Sequence, residues 1–393
     1  MFEMKCSCSQ GQHTAPVKRL EVSEGAIEKT AEILAEYHRI FLVADETTYR
    51  IAGKRVEAIL QQAGILSHTC ILPDPALPDD TNVGRVLIAA GTDAETYDIN
   101  AMSCLPDYIL AVGSGSINDI CRMVSYRLGL EYGVVGTAPS MDGYASVVSP
   151  LLTQQKKIVY TCTIARHIIL DLNICAEAPY LMLQAGVGDM LGKYIALLDW
   201  EIAREHIGEY YCPQIAEMVR KAADQCSASA GALAERSMDA IRSTAEGLIL
   251  SGLCIAYTGT SRPASGTEHM IGQTWEVMDI EEGKVPNLHG IEVGEGTFAA
   301  IAIFRKLYQE TEDSQLKELI GKYLPCFDQL ETLQRQIHLP FTVKNRERFI
   351  EGILRGRTFR DRYTILEYLY RRGELERYAE AAYTEAMKLC PNA

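Results

Sequence analysis

The feature that most constrains this chain is a buried run feeding straight into a glycine turn. Tyr108-Ile-Leu-Ala-Val112 is followed by Gly113-Ser-Gly-Ser-Ile-Asn-Asp119, and a helix is predicted to begin near Ile117. A fully apolar strand leading through small residues into a helix is the repeating piece of a parallel sheet, because such strands need helices on both faces to hide them. Similar runs occur at Arg39–Ala44, Ser67–Leu72 and Tyr132–Gly136, with helical spacing over Thr48–Gly64 and over Val83–Ala90. The first half therefore reads as an α/β, doubly wound (Rossmann-like) parallel-sheet domain. Beyond Pro179 the texture changes to long amphipathic stretches with no strand signal of comparable strength. The expected organisation is a nucleotide-binding α/β domain over 1–178 and an all-α domain over 179–393, with an active site in the cleft between them.

Composition narrows the partners. The 393 residues carry 38 basic and 52 acidic side chains, a formal charge of −14, whereas nucleic acid and anionic membranes demand an excess of Lys and Arg. The basic stretch Arg346–Arg377 is interleaved with Glu347, Glu351, Asp361, Glu367, Glu374 and Glu376, and is read as a solvated or oligomer-facing helical surface. The twelve cysteines are scattered without a CxxC pair and read as small buried hydrophobes in a reducing compartment. Cys6-Ser-Cys8 could chelate a soft metal, but two thiolates one residue apart without a second pair make a poor tetrahedral site. That N-terminal segment is read as disordered. It lacks a secretory apolar core, and no apolar run approaches the roughly 18–20 residues of a membrane span. The expectation is a cytoplasmic protein with no membrane insertion and no nucleic-acid partner.

Several segments carry candidate chemistry. Gly113, Ser114, Gly115, Ser116 and Ile117 form a turn whose backbone N–H groups can converge on a phosphate. The alternative is an ordinary tight turn, since Gly113-x-Gly115-x-x-Asn118 lacks the third glycine of the dinucleotide fingerprint. Asp45, at the end of the first strand, is placed either to bond a ribose hydroxyl or to cap a helix. Thr137-Ala-Pro-Ser-Met-Asp-Gly-Tyr-Ala-Ser146 brings Thr137, Ser140, Asp142 and Ser146 to the same sheet edge, unless it is simply a polar loop. In the helical half, Gly186-Val-Gly-Asp-Met-Leu-Gly-Lys193 puts Asp189 at a glycine-flanked helix start. Ser261-Arg-Pro-Ala-Ser-Gly-Thr-Glu-His269 delivers His269 near a helix N-terminus with Gln273 on the same face, and His289 stands at another helix start. One carboxylate and two imidazoles suit a divalent metal with open positions for substrate. His13, His38, His68, His167, His206 and His338 are read as ordinary core or surface histidines.

Taken together, these segments resemble the bacterial sn-glycerol-1-phosphate dehydrogenases, a branch of the iron-containing alcohol dehydrogenase, glycerol dehydrogenase and dehydroquinate synthase superfamily. The resemblance rests on the glycine turn with Asp119, Thr137-Ala-Pro-Ser-Met-Asp-Gly143, Gly188-Asp-Met-Leu-Gly-Lys193, Ser261–His269 and His289-Gly290. It implies that Gly113–Ile117 cradle the pyrophosphate of NAD(P), with Asp45, Thr137, Ser140 and Ser146 completing the cofactor site. It implies that Asp189, His269 and His289 hold one divalent ion, nickel or zinc, and that Asp142 and Asp189 contact a phosphorylated small-molecule substrate. It further implies a homodimer and reversible hydride transfer between dihydroxyacetone phosphate and sn-glycerol 1-phosphate. The sequence departs from the family at Gln273, where a histidine expected to touch substrate generally stands. Glutamine donates a hydrogen bond but carries no charge. The alternatives are a related metal-dependent polyol or sugar-phosphate dehydrogenase and a non-catalytic nucleotide or metal sensor.

Overall fold

A computed structural model describes residues 2–91, 105–154 and 156–389. The chain divides into two compact units, one of 1–4 with 12–179 and one of 5–11 with 180–393.

The first unit is built on a six-stranded, all-parallel sheet. In chain order the strands of this unit are β1 (Phe2–Lys5), β2 (Gln12–Ala15), β3 (Arg19–Ser23), β4 (Ile40–Asp45), β5 (Leu66–Leu72), β6 (Tyr108–Gly113), β7 (Glu131–Gly136), β8 (Val148–Thr153), β9 (Lys156–Thr161) and β10 (His167–Asp171). The sheet order is β3-β10-β7-β6-β4-β5, with β1–β2 and β8–β9 as separate two-stranded pairs. The helices α1 (Lys54–Gln62), α2 (Asp80–Ala90) and α3 (Gly115–Leu128) cover it. Leu42, Leu110, Val112, Val135 and Ile169 from four adjacent strands form the core on one face. The chain winds outward from β4 to β5 and then returns to place β6 on the other side of β4. That reversal is the topological switch point, where open α/β sheets bind ligands beyond the carboxyl ends of their strands. Asp45 and Gly113 are those carboxyl ends.

The doubly wound reading holds, with additions. The edge strand β3 and its neighbour β10 extend the sheet beyond the runs recognised in the sequence. α3 begins at Gly115, two residues ahead of the expected start, because Ser114 already has the extended backbone of a cap residue. The N-terminal segment expected to be disordered is instead the hairpin β1–β2, its loop closed by Cys6 N–H donating to Gly11 O at 2.9 Å. Of the cysteines read as buried, Cys121, Cys175, Cys212, Cys226 and Cys254 are so; Cys6, Cys8, Cys70, Cys162 and Cys326 are half-buried. Cys104 and Cys390 lie outside the described residues.

The second unit is helical: α4 (Tyr180–Ile207), α5 (Pro213–Ala230), α6 (Met238–Thr258), α7 (Thr267–Glu281), α8 (His289–Glu310), α9 (Ser314–Gln336), α10 (Arg346–Gly356), α11 (Ile365–Arg371) and α12 (Leu375–Ala386). α4 is apolar and long enough to cross a membrane, yet 89% of its most apolar window is buried, as in a core helix. Asp189 therefore sits in the middle of a 28-residue helix, not at a helix start. The glycines around it have a different purpose. A Cβ on Gly188 would stand 2.3 Å from Gly290 O, and one on Gly290 would stand 1.9 Å from Ala185 O, so glycine at both positions lets α4 and α8 touch backbone to backbone.

Candidate active site

The close approach of α4, α7 and α8 gathers three side chains that are 20 to 100 residues apart in the sequence. Asp189 from mid-α4, His269 from the first turn of α7 and His289 at the start of α8 each present a ligand atom within 4.8 Å of the others. Asp189 and His269 are buried, and His289 is half-buried. The imidazole rings of the two histidines lie 5.2 Å apart. The groups around the trio set their state. Glu268 Oε1 accepts from His269 Nδ1 at 2.7 Å, which leaves Nε2 as the ligand atom facing Asp189 Oδ1 at 3.6 Å. Burial, reinforced by the positive Lys193, holds the His269 pKa well below the usual histidine range, so the ring is neutral and its nitrogen lone pair is free for a cation. Burial pushes the Glu268 carboxyl up to about 8. Lys193, one turn after Asp189, donates to Asp189 Oδ1 at 2.6 Å and to Ala264 O at 3.1 Å. A carboxylate and two imidazoles, one ring oriented by Glu268, is a donor set that fits a divalent metal of the nickel or zinc type.

The loop before α7 is fixed by residues the sequence reading passed over. Asp199, buried on α4, accepts the Thr267 N–H at 2.7 Å and the Ile365 N–H at 2.9 Å, tying the first residues of α7 and α11 to one carboxylate. The basic stretch expected to be a solvated surface is only partly so. Arg355, Arg357, Arg371 and Arg377 pair with glutamates. Arg360 and Arg362 instead turn inward. Both donate to Ser261 Oγ at 2.9 Å, Arg362 also bonds Ser265 O, and Arg360 donates to Gln273 Oε1 at 3.1 Å. Burial and the neighbouring guanidinium groups of Arg360 and Arg262 bring the Arg362 pKa down to about 9, the response of a cation crowded by like charges. A cavity of about 620 Å³ opens beside them, where Arg262, Arg360 and Arg362 are joined by the acidic Glu209, Asp361 and Glu367. Gln273 is therefore buried, with its amide oxygen committed to a guanidinium. A protonated histidine there would face Arg360 with the same sign of charge.

In the first unit the expected cofactor residues all fall at carboxyl ends of the sheet. Gly113 ends β6, and a Cβ there would press 2.8 Å from Ile117 Cβ, so only glycine allows this tight entry into α3. Ser114 is the residue before α3 and its side chain bonds none of the helix's first N–H groups. Those N–H groups therefore have no side-chain partner at the cap and suit an anion. Ser116 and Ile117 lie in the first turn. Thr137, Ser140 and Ser146 are buried in the segment after β7. Asp142 begins a short 3-10 turn, half-buried. Asp45 caps the helical turn after β4, with Oδ1 accepting from Thr48 N–H at 2.6 Å. One further residue shapes this edge: Arg122, fully buried on α3, pairs with Asp119 at 2.5 Å and bonds the carbonyls of Gly143 and Val148, the latter at 2.7 Å. It pins the Asp142–Ser146 segment to α3.

Residues 21–179 match the family of iron-containing alcohol dehydrogenases. The glycerol dehydrogenase of Schizosaccharomyces pombe superposes with a TM-score of 0.68 at 16% identity, covering 95% of this chain and 90% of that one. Over the whole chain the relationship is narrower. The glycerol-1-phosphate dehydrogenase (NAD(P)+) of Bacillus licheniformis is 33% identical over 94% of this chain and 93% of its own length. That of Bacillus subtilis is 35% identical over 76% and 75%. The chain belongs to the glycerol-1-phosphate dehydrogenase family.

Proposed function

We propose that this protein interconverts dihydroxyacetone phosphate and sn-glycerol 1-phosphate, using NAD(P) and one divalent ion held by Asp189, His269 and His289. When bound, the ion supplies Lewis-acid polarisation of the substrate oxygen and the nicotinamide supplies or accepts the hydride. The residues of the chain bind and orient. The first N–H groups of α3, opened by Gly113 and Gly115, suit the cofactor pyrophosphate, with Asp45, Thr137, Ser140 and Ser146 beside them. Glu268 keeps His269 in the tautomer that presents Nε2, and Lys193 pairs with the Asp189 carboxylate. Asp142 is assigned to the substrate hydroxyls. Nickel or zinc is the expected ion. The cytoplasmic assignment rests on the sequence, and the homodimer on the resemblance alone.

The observation that carries the phosphorylated substrate is the pair of inward guanidinium groups, Arg360 and Arg362, on Ser261 and Gln273, with Gln273 one turn from His269. Arginine forks are suited to phosphate oxygens. This reading gives the departure at Gln273 a role: the amide orients Arg360 where an imidazolium would repel it. The test compares dihydroxyacetone phosphate with unphosphorylated dihydroxyacetone. Loss of a charge-assisted hydrogen bond, about 1.5–3 kcal/mol, lowers kcat/KM by roughly 10- to 150-fold. Arg360→Ala should show that loss with the phosphorylated ketone and little change with the other. An equal loss with both would remove phosphate recognition from Arg360.

A further inference from the structure

The loop of the N-terminal hairpin belongs to the helical unit, and it brings two thiols to a third from far along the chain. Cys6 Sγ stands 3.4 Å from Cys212 Sγ across 206 residues of sequence. Cys8 Sγ lies in the same group, all with ligand atoms within 4.8 Å of one another. Cys212 is buried and is the residue immediately before α5, a rigid platform for a ligand. The objection raised by the sequence, that Cys6 and Cys8 lack a partner pair, is met by a residue no local spacing could reveal.

We propose that Cys6, Cys8 and Cys212 bind a soft divalent cation of the zinc class, with the remaining position open to water. Around a tetrahedral ion with metal–sulfur bonds of about 2.3 Å, sulfurs stand about 3.8 Å apart. The observed 3.4 Å is near that edge length and far from the roughly 2.05 Å of a disulfide. The outer shell is also in place. Cys8 N–H donates to Cys6 Sγ at 3.4 Å, and Tyr210 Oη lies 3.4 Å from Cys8 Sγ, contacts of the kind that orient thiolate ligands. Binding takes the three thiols as thiolates and releases their protons, with no change of oxidation state. The ion would staple the hairpin loop to the start of α5, closing a long loop of chain and so favouring the folded state. This site shares no ligand with Asp189, His269 and His289, and it stands or falls independently of the proposed reaction.

Cobalt(II) is the probe. Full-length protein is stripped of metal, reduced and titrated with cobalt while thiolate-to-cobalt charge transfer is followed in the near ultraviolet; a site of one carboxylate and two imidazoles gives no such band. The expected result is a band that saturates at one equivalent, survives in Asp189→Ala, and disappears in the Cys6→Ser/Cys8→Ser double variant with the loss of one bound cobalt. The double variant leaves the buried Cys212 untouched, and an unchanged far-ultraviolet circular dichroism spectrum shows that it is folded. A band absent from the reduced wild type, or unaltered in the double variant, overturns the proposal. Peptide mapping that finds Cys6 linked to Cys212 by a disulfide, in protein that takes up no thiolate-bound cobalt after reduction, overturns it as well.

Discussion

Gly290→Ala is the substitution that most directly probes how the fold makes the proposed metal site. Gly290 is the second residue of α8, next to His289, and its added Cβ would lie 1.9 Å from Ala185 O and 2.5 Å from Ala185 C. Both are backbone atoms one turn ahead of Asp189, so no side chain can swing away to make room. Relief to the 3.0 Å below which such contacts are essentially never found requires α8 and α4 to separate locally by about 1.1 Å. Overpacking of this kind costs about 1–3 kcal/mol, and here the upper end applies. Replacing glycine by alanine in a helix returns about 1 kcal/mol. The net loss is therefore about 2 kcal/mol, a fall in Tm of roughly 4–8 °C for a unit of this size. The effect on the site is larger than on the fold, because metal–ligand distances tolerate only about 0.2 Å. A roughly 10- to 100-fold loss of metal affinity is expected, comparable to removing an orienting outer-shell partner. Isothermal titration with nickel or zinc, alongside differential scanning calorimetry, measures both. Gly294→Ala is the control: one turn further along α8, its Cβ would press only on the end of the Leu339 side chain at 2.8 Å, which can rotate away, and would meet Gly188 Cα at an ordinary 3.4 Å. Wild-type metal affinity and Tm in Gly290→Ala would refute the account of how α4 and α8 position the ligands.

Two further predictions concern buried charge. Lys193→Met leaves Asp189 without its 2.6 Å cationic partner in a fully buried setting, which should cost the metal-free protein about 3–5 kcal/mol; added metal should then raise the Tm of the variant more than that of the wild type, and an equal rise would show that Lys193 does not balance Asp189. Glu295 has its pKa raised by burial from 4.5 to about 7, so the folded state keeps a proton between those pH values that the unfolded state has released. Stability should therefore fall as pH rises from about 4.5 to 7, by at most roughly 3.4 kcal/mol at 1.36 kcal/mol per pH unit, and Glu295→Gln should flatten that part of the curve in denaturant melts taken across the range. Identical pH profiles for the two proteins would count against a neutral Glu295 in the folded state.

What the sequence revealed and concealed follows from the range of the interactions involved. Strands β4, β6 and β7 were visible because each is a continuous apolar run ending at a small or acidic residue, a local pattern. β3 was not, since Arg19-Leu-Glu-Val-Ser23 is a short edge strand with only two apolar residues, held by pairing to β10 from the far end of the unit. Glycine-rich neighbourhoods point to Asp189, His269 and His289, yet locally the glycines around Asp189 resemble a helix start. Glycine inside a helix usually weakens it, and only the approach of the Gly290 carbonyl explains it here. Arg360 and Arg362 were hidden for the opposite reason: amid alternating charges they look solvated, and nothing local indicates that they bond Ser261 and Gln273 about 90–100 residues earlier. The hairpin thiols were dismissed because their partner is 206 residues away.

The central claim is tested most directly by NADH and NADPH oxidation with dihydroxyacetone phosphate, using metal-free protein and the same protein reloaded with nickel or zinc, followed by chiral analysis of the product. The account predicts no turnover without metal, turnover on reloading, sn-glycerol 1-phosphate as the product, and loss of both metal and turnover in His269→Ala. Full activity in the metal-free protein, or a product of the opposite hand, would contradict it.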